Sequence, residues 1–170
     1  MSRYQDSLPE DALFVKVTRT IARPVAETFK YIVPVDVTHT FPRQGDMPGN
    51  VKTTVTTDWG QYFGQTRDTT ADDGSSFHET LTALDPDKSF GYKVENLTSP
   101  AMKGVVDRIE GAWEFTDNGN GTTSIEWFYV LIPAGPEAVA TIKEKILARY
   151  RGRLENAMNI IKADLEQASV

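Results

Sequence analysis

The last thirty or so residues of the chain constrain its fold more than any other segment. From Val139 to Leu165, apolar residues recur every three or four positions, which is the period of one amphipathic helix. A helix over 136–167 is about 48 Å long at 1.5 Å per residue. Gly152 interrupts the pattern and is expected to mark a bend or a close contact. Such a helix has to bury one face, so it needs a partner surface of similar length.

The preceding residues supply that surface as a series of strands. Alternating residues over 13–22 predict a first strand, and Pro24 begins a short helix that Pro34 ends. Asp36 is expected to cap one further helical turn. Short links rich in turn residues separate six more strands, which we place at 51–58, 64–71, 76–84, 89–97, 105–116 and 122–132. Short links predict an antiparallel sheet, and sheet and helix together predict a two-layer α+β fold.

Composition excludes several classes of function. The 170 residues suit a single domain over 1–170, in which we expect 1–11 to be a flexible N-terminal segment. The chain has no cysteine, which excludes thiolate metal sites and cysteine nucleophiles. A formal net charge of −6 argues against a nucleic-acid partner. Without a signal peptide or a long apolar stretch, we expect a cytoplasmic protein with no membrane insertion. No cofactor is predicted.

Strand phases predict which side chains face the long helix. The inward faces of the later strands are apolar and strongly aromatic, with a few polar groups among them. Such a surface is typical of a small-molecule pocket, although a filled core has the same pattern. The predicted ligand-binding residues, including one from the first helix and two from the last, are Phe29, Phe77, Glu79, Leu81, Tyr92, Asp107, Trp113, Trp127, Tyr129, Ile146 and Tyr150.

Two of the predicted inward residues are acidic. Glu79 and Asp107 are the candidate catalytic residues, because two carboxyl groups in one pocket suit proton transfer. The alternative is that each pairs with a cation or lies at the rim, since an unpaired buried charge is costly. Arg67 and Arg108 are the candidate partners, and the phase of the strand that carries Arg67 stays open.

The remaining candidates are two histidines and a basic stripe on the long helix. His39 suits either a surface or capping role or an acid–base role at the pocket mouth. His78 alternates with the inward residues of its strand, so it is expected to face outward, and no metal site is predicted. Lys145, Arg149 and Arg153 form the stripe, which is either a solvated face or a contact for anionic lipid heads.

Several short segments, taken together in their order, resemble one family. They are VTRTIARPVAETF at 17–29, GQTR at 64–67, DG at 73–74, ETL at 79–81, LDP at 84–86, GAWEF at 111–115 and GTTSIEW at 121–127. Over 13–167 the chain resembles the START-like (SRPBCC) superfamily, and within it the polyketide cyclase/dehydrase-like and lipid-transport branch. The resemblance implies a helix-grip fold, in which a curved seven-stranded antiparallel sheet wraps around one long C-terminal helix and leaves a hydrophobic cavity. It transfers no catalytic residue, because the superfamily has no common catalytic motif.

Three functions are compatible with the sequence. The first is binding or transport of a hydrophobic small molecule, a lipid or an aromatic, polyketide-like compound, in the cavity. The second is a polyketide aromatase/cyclase or dehydratase, with Glu79, Asp107, Tyr92 or Tyr129 handling protons. The third is a protein-interaction domain with a filled core, similar to the co-chaperone members of the superfamily. A ligand-sized cavity would favour the first two over the third.

Overall fold

The computed structural model describes residues 3–55 and 59–167. Its elements are α1 (Arg3–Asp6), β1 (Phe14–Ile21), α2 (Val25–Ile32), α3 (Val37–Thr40), β2 (Asn50–Val55), β3 (Thr66–Ala71), β4 (Ser76–Asp85), β5 (Ser89–Glu95), β6 (Val106–Asp117), β7 (Thr123–Pro133), α4 (Ala138–Thr141), a π-helical turn (Ile142–Ile146) and α5 (Leu147–Gln167). The predicted end of the second strand at 56–58 lies outside the described residues.

The seven strands form one antiparallel sheet in the order β1-β7-β6-β5-β4-β3-β2. Strands from β2 to β7 pair with their neighbours in sequence, as short connections require. The first strand pairs with the last, so that Phe14 lies opposite Val130 and Ile21 opposite Thr123. The chain crosses between the two edge strands, β1 and β2, through α2 and α3, which both contact α5. The predicted α+β helix-grip architecture is confirmed.

The C-terminal helix begins at Ala138 and has three parts. The π-helical turn joins α4 to α5 without a break, and both Ile142 and Ile146 in this turn are buried. α5 packs against β1, and its buried residues are Leu154, Ala157, Met158, Ile161 and Leu165. Gly152 lies within regular α5, where its carbonyl oxygen accepts a hydrogen bond from the Gln44 side chain at 3.5 Å. The irregular turn therefore lies earlier in the helix than the glycine.

Two irregular pairings change which side chains face the helix. The β6–β7 pairing shifts between Val106 and Arg108, and the β4–β5 pairing shifts between Leu81 and Ala83. A bulge adds one residue to a strand, so the alternation beyond it is reversed. Asp107 consequently lies on the outside, with its side chain 59% exposed and 3.1 Å from Arg108. The prediction that Asp107 lines the pocket is wrong, because strict alternation ignores the bulge.

The two short helices after β1 form where the sequence predicts them. Pro24 directly precedes α2, whose buried face includes Phe29. The Asp36 carboxylate accepts a hydrogen bond from the Thr38 N–H at 2.9 Å and so caps α3. Both helices lie between the edges of the sheet, and α3 also contacts β2. They close one side of the space between sheet and α5.

The expected flexible segment 1–11 contains α1. The Tyr4 ring lies 5.1 Å from the Phe128 ring, and the Tyr4 N–H donates a hydrogen bond to Glu114 at 2.9 Å. Phe128 belongs to the outward residues of β7, yet it is fully buried because Tyr4 and Phe14 cover it. The α1 turn thus shields from solvent an apolar residue that, by the alternation of β7, lies on the outer face of the sheet.

Candidate functional site

A cavity lies between the inner face of the sheet, the α2–α3 region and α5. Its volume is about 80 Å³. The strands contribute aromatic rings and one ion pair, and the segment from Ile32 to Phe41 contributes mostly apolar groups. The residues that α5 contributes are Tyr150, Arg153 and Ile161. We call this space the inner cavity.

Stacked rings fill the space beside the inner cavity. Trp113 and Trp127 stack with ring centroids 4.3 Å apart and planes 19° apart. Phe90 and Phe115 stack against Trp113 as well, and Phe29 from α2 meets both phenylalanines edge-on. An apolar cavity of about 150 Å³ is known to hold a benzene ring. The inner cavity is only about half that size, because these rings occupy the remaining volume.

A buried ion pair forms part of the cavity wall. Arg67 and Glu79 lie opposite each other in the β3–β4 pairing, with 8% and 5% of their side chains exposed. Arg67 Nε donates to one carboxylate oxygen at 2.6 Å, and Nη2 donates to the other at 3.3 Å. The guanidinium also lies over the Trp59 ring, 4.2 Å from its centroid. Bidentate bonding and stacking compensate both charges for the loss of water.

Tyr92 lies near this ion pair. Its partner in the β5–β6 pairing is Gly111, and a Cβ at Gly111 would lie 2.2 Å from the Tyr92 ring. The Tyr92 hydroxyl accepts a hydrogen bond from Trp127 Nε1 at 3.1 Å. Burial, together with the nearby Glu79 charge, raises the pKa of Tyr92 well above its usual value. The phenol therefore stays neutral near physiological pH.

A larger outer chamber adjoins the inner cavity. The outer chamber has a volume of about 400 Å³ and lies between the C-terminal helix and loops around Met47 and Pro100. The residues that line both spaces, which we call the neck, are Asn50, Phe77, Leu97, Tyr150 and Arg153. Ligand pockets commonly measure about 300–1,000 Å³. The outer chamber therefore has the size for a small organic molecule, and the inner cavity alone does not.

Polar groups of α5 and β7 face the neck and the inner cavity. The Tyr150 ring stacks on the Tyr129 ring at 5.6 Å, and neither hydroxyl forms a hydrogen bond within the part of the chain that the structure describes. Burial is the main reason that the pKa values of both tyrosines are raised. Arg153 donates to the Pro48 carbonyl oxygen at 2.6 Å, and its guanidinium lies 5.2 Å from the Phe41 ring centroid. Neutral hydroxyl groups and one cation thus lie beside aromatic rings.

Most of the predicted ligand-binding residues meet at this site. Ile146 lines only the outer chamber, whereas Phe29 and Leu81 are buried in the core. Asp107 lies on the opposite face of the sheet, so the predicted pair of carboxyl groups does not form. The predicted residues that line the inner cavity are Phe77, Glu79, Tyr92, Trp113, Trp127, Tyr129 and Tyr150. That they bind a ligand remains a prediction.

The sequence does not single out Trp59 and leaves the orientation of two arginines of the site open. Trp59 lies in the connection between β2 and β3, where no periodicity indicates its orientation. Arg67, a candidate partner from the sequence, does pair with Glu79, but its strand is polar on both faces and alternation alone leaves its orientation open. Arg153 belongs to the basic stripe but lines the neck, while Lys145 and Arg149 line the outer chamber. The basic stripe is therefore not simply a face of the helix in contact with bulk solvent.

Neither histidine lines the inner cavity. His39 Nε2 lies 2.7 Å from an Asp164 carboxylate oxygen that also accepts a hydrogen bond from Tyr31. His78 bonds to Asp68 across the β3–β4 pairing at an exposed position.

Among the described residues, no three His, Asp or Glu side chains are placed to share a metal ion. No helix in that part of the chain is long and apolar enough to span a membrane.

Solved structures share this fold at low sequence identity. A point mutant of norcoclaurine synthase from Thalictrum flavum, in complex with a transition-state analogue, gives a TM-score of 0.69 at 14% identity over 94% of this chain and 97% of that chain. Ara h 8.0201 gives 0.67 at 15% identity, over 91% and 97% of the two chains. The protein XoxI from Bacillus cereus gives 0.65 at 13% identity, over 92% and 98%. Such identities show the fold alone, and no curated protein sequence matches significantly.

The sequence itself matches one family model. That model describes polyketide cyclase/dehydrase and lipid transport proteins, and the match covers residues 13–166. The matched region includes every strand and nearly all of the C-terminal helix. The resemblance of 13–167 to the START-like superfamily is thereby confirmed. The chain belongs to the polyketide cyclase/dehydrase and lipid transport family.

Proposed function

We propose that this protein binds a hydrophobic small molecule between its sheet and its C-terminal helix, and carries or sequesters it. The observation that supports this proposal most is the pair of adjoining spaces, the inner cavity and the outer chamber, whose lining surface is mainly apolar. An interaction domain with a filled core has no need of such a space. Membership of a family described by lipid transport also supports ligand binding.

The volumes indicate how a ligand would be placed. The outer chamber accommodates the bulk of the molecule, whereas the inner cavity accepts a narrow end at most. Burial of roughly 200–300 Å² of apolar ligand surface contributes about 5–8 kcal/mol at about 25 cal/mol per Å², before the cost of association. This free energy suits reversible binding, as a carrier requires.

Catalysis by a cyclase or dehydratase is the second candidate function. The observation in its favour is that Glu79 lies in the wall of the inner cavity, near Tyr92. A general base has to reach the proton that it removes. Both oxygens of Glu79 already accept hydrogen bonds from Arg67, so binding is the better supported function. Turnover of a poly-β-keto analogue that is lost in Glu79→Gln, while the variant stays folded, would instead support the enzyme.

Native mass spectrometry of the protein purified from its host tests the proposed function. We expect a noncovalent adduct that organic solvent releases and that proves to be a hydrophobic organic compound. The stripped protein is expected to bind N-phenyl-1-naphthylamine, an uncharged fluorescent probe of apolar sites. Absence of an adduct, combined with no binding of this probe, would overturn the proposal.

A further inference from the structure

Arg153 differs from Arg67, the other cation in the wall of the inner cavity, in having no anionic partner among the described residues. Arg67 pairs with Glu79, whereas no carboxylate of the described residues forms an ion pair with the half-buried Arg153. The nearby Asp72, whose pKa is lowered mainly by Arg43, bonds Arg43 at 2.9 and 2.6 Å. A cation that has lost part of its water favours the approach of an anion.

Neutral groups hold Arg153 in position before any ligand binds. Its Nη1 donates to the Pro48 carbonyl oxygen at 2.6 Å, and Nη2 lies 3.5 Å from the Asn50 side-chain oxygen. The guanidinium also lies over the Phe41 ring. A guanidinium has five N–H donors, and these two bonds leave others free. Arg153 is thus preorganised at the neck with donor capacity to spare.

Two further donors line the inner cavity together with Arg153. The hydroxyls of Tyr129 and Tyr150 lack hydrogen-bond partners within residues 3–55 and 59–167, and both tyrosines line the inner cavity. Tyr150 lies three residues before Arg153 on the same face of α5, and its ring stacks on the Tyr129 ring. Burial raises the pKa of both phenols, so they stay neutral and can donate hydrogen bonds, and all three residues offer donors in the lining of one cavity.

The acidic residues around the outer chamber are already engaged. Asp46 bonds Arg149 at 2.9 Å, and Asp73 accepts hydrogen bonds from Ser75. Lys145 lines the same chamber and adds a positive charge. The approach to the neck is therefore compatible with a negatively charged ligand, despite the net charge of −6 on the whole chain.

From this placement we propose that the ligand is an amphipathic organic acid, whose carboxylate or similar anionic group binds at the neck to Arg153, Tyr129 and Tyr150. The inference rests on the proposed function and names the chemical class of its ligand. The apolar body lies in the outer chamber against Phe77 and Leu97, because the inner cavity of about 80 Å³ is too small for an aromatic ring.

Two fluorescent probes that differ only in the anionic group test this inference. They are 8-anilinonaphthalene-1-sulfonate and its uncharged counterpart N-phenyl-1-naphthylamine. We expect Arg153→Gln to raise the Kd of the sulfonate at least about tenfold and that of the uncharged probe by less than about threefold. Arg151→Gln, two residues away on the exposed side of α5, removes the same charge and is expected to leave both Kd values unchanged.

A second variant keeps the test decisive if Arg153→Gln does not fold. Tyr150→Phe removes one hydroxyl, and we expect it to weaken sulfonate binding about fivefold without weakening the uncharged probe. Equal changes for the two probes in these variants, or no change for the sulfonate, would overturn the inference. Absence of a native adduct, together with failure of the uncharged probe to bind the wild-type protein, would instead overturn the proposed function, so the two failures are distinguishable.

Discussion

At the scale of single residues, Gly111 determines where the Tyr92 ring lies. A Cβ at Gly111 would lie 2.2–2.6 Å from three atoms of that ring. We expect Gly111→Ala to lower the free energy of unfolding by about 1–3 kcal/mol, as overpacked cores do. Urea unfolding measures the change. Gly91→Ala on the adjacent strand is the control, because a Cβ there would meet its nearest atom, Thr82 Oγ1, only at 3.2 Å. Equal losses of unfolding free energy at the two positions would contradict the role of Gly111.

A single substitution in the Arg67–Glu79 pair is expected to destabilise the protein mainly because it leaves one buried charge without a partner. Glu79→Gln should lower the free energy of unfolding by about 3–5 kcal/mol, since Arg67 would stay buried without a counter-charge. Replacing both residues by methionine should cost less than Glu79→Gln alone. Arg108→Gln, which breaks two exposed pairs, should cost at most about 1 kcal/mol. Denaturant titration of these variants tests the ranking, and a double variant less stable than Glu79→Gln would refute it.

The sequence identifies inward residues where a regular strand carries them. Glu79 is placed correctly because it lies between Phe77 and Leu81 on an alternating stretch of β4. Asp107 is placed wrongly, because one extra residue in β6 reverses its side of the sheet. The orientation of Arg153 depends on neutral acceptors in a distant loop, and helical periodicity contains no information about them.

At the scale of elements, Asp164 on α5 connects the short helices to the C-terminal helix. Its carboxylate accepts a hydrogen bond from Tyr31 of α2 and lies 2.7 Å from His39 of α3. These contacts, the Tyr31 bond first, lower the pKa of Asp164 below 3.8. A carboxyl group whose pKa is lowered by folding stabilises the folded state at any pH above its unfolded-state pKa. This contribution disappears as the pH falls through the folded-state pKa.

Asp164→Ala is therefore expected to reduce the free energy of unfolding by about 1 kcal/mol at pH 7. The difference from the wild-type protein should shrink as the pH falls below 3.8, because the carboxylate becomes protonated in both states. Urea unfolding at several pH values measures both effects. Glu144→Ala, an exposed position on the π-helical turn, is the control. A loss that stays constant down to low pH would show that the charge is irrelevant.

The sequence predicts the boundaries of an element where the spacing of apolar residues marks them. The spacing from Val139 to Leu165 predicts the C-terminal helix, and the structure has it from Ala138 to Gln167. The π-helical turn is invisible to this pattern, because Ile142 and Ile146 remain four residues apart. The strand bulges escape prediction for a similar reason, since one extra residue leaves composition unchanged.

At the scale of the whole molecule, burial of tyrosines links stability to alkaline pH. The pKa is raised for Tyr4, Tyr31, Tyr92, Tyr129 and Tyr150, with burial as the largest cause at each. Their stabilising contribution is complete below the unfolded value of 10.0 and is lost as the pH rises toward the folded values. The free energy of unfolding should therefore fall above pH 10. Phenolate absorbance of the folded protein that titrates fully near pH 10 would contradict this expectation.

The volume of the interior is the property that the sequence predicts least. The same aromatic residues suit a filled core or a pocket, and their arrangement decides between the two. Trp113 and Trp127 stack at 4.3 Å and reduce the inner cavity to about 80 Å³. The larger outer chamber depends on how loops pack against the C-terminal helix, which no local pattern encodes.

The affinity of N-phenyl-1-naphthylamine for a neck variant tests most directly whether a hydrophobic ligand enters between sheet and helix. Leu97→Trp places a larger side chain in the neck, whereas Phe63→Trp changes a residue that is 72% exposed. We predict that Leu97→Trp raises the Kd at least about tenfold, or about 1.4 kcal/mol, and that Phe63→Trp leaves it unchanged. Wild-type affinity in a folded Leu97→Trp variant would show that the hydrophobic ligand binds elsewhere.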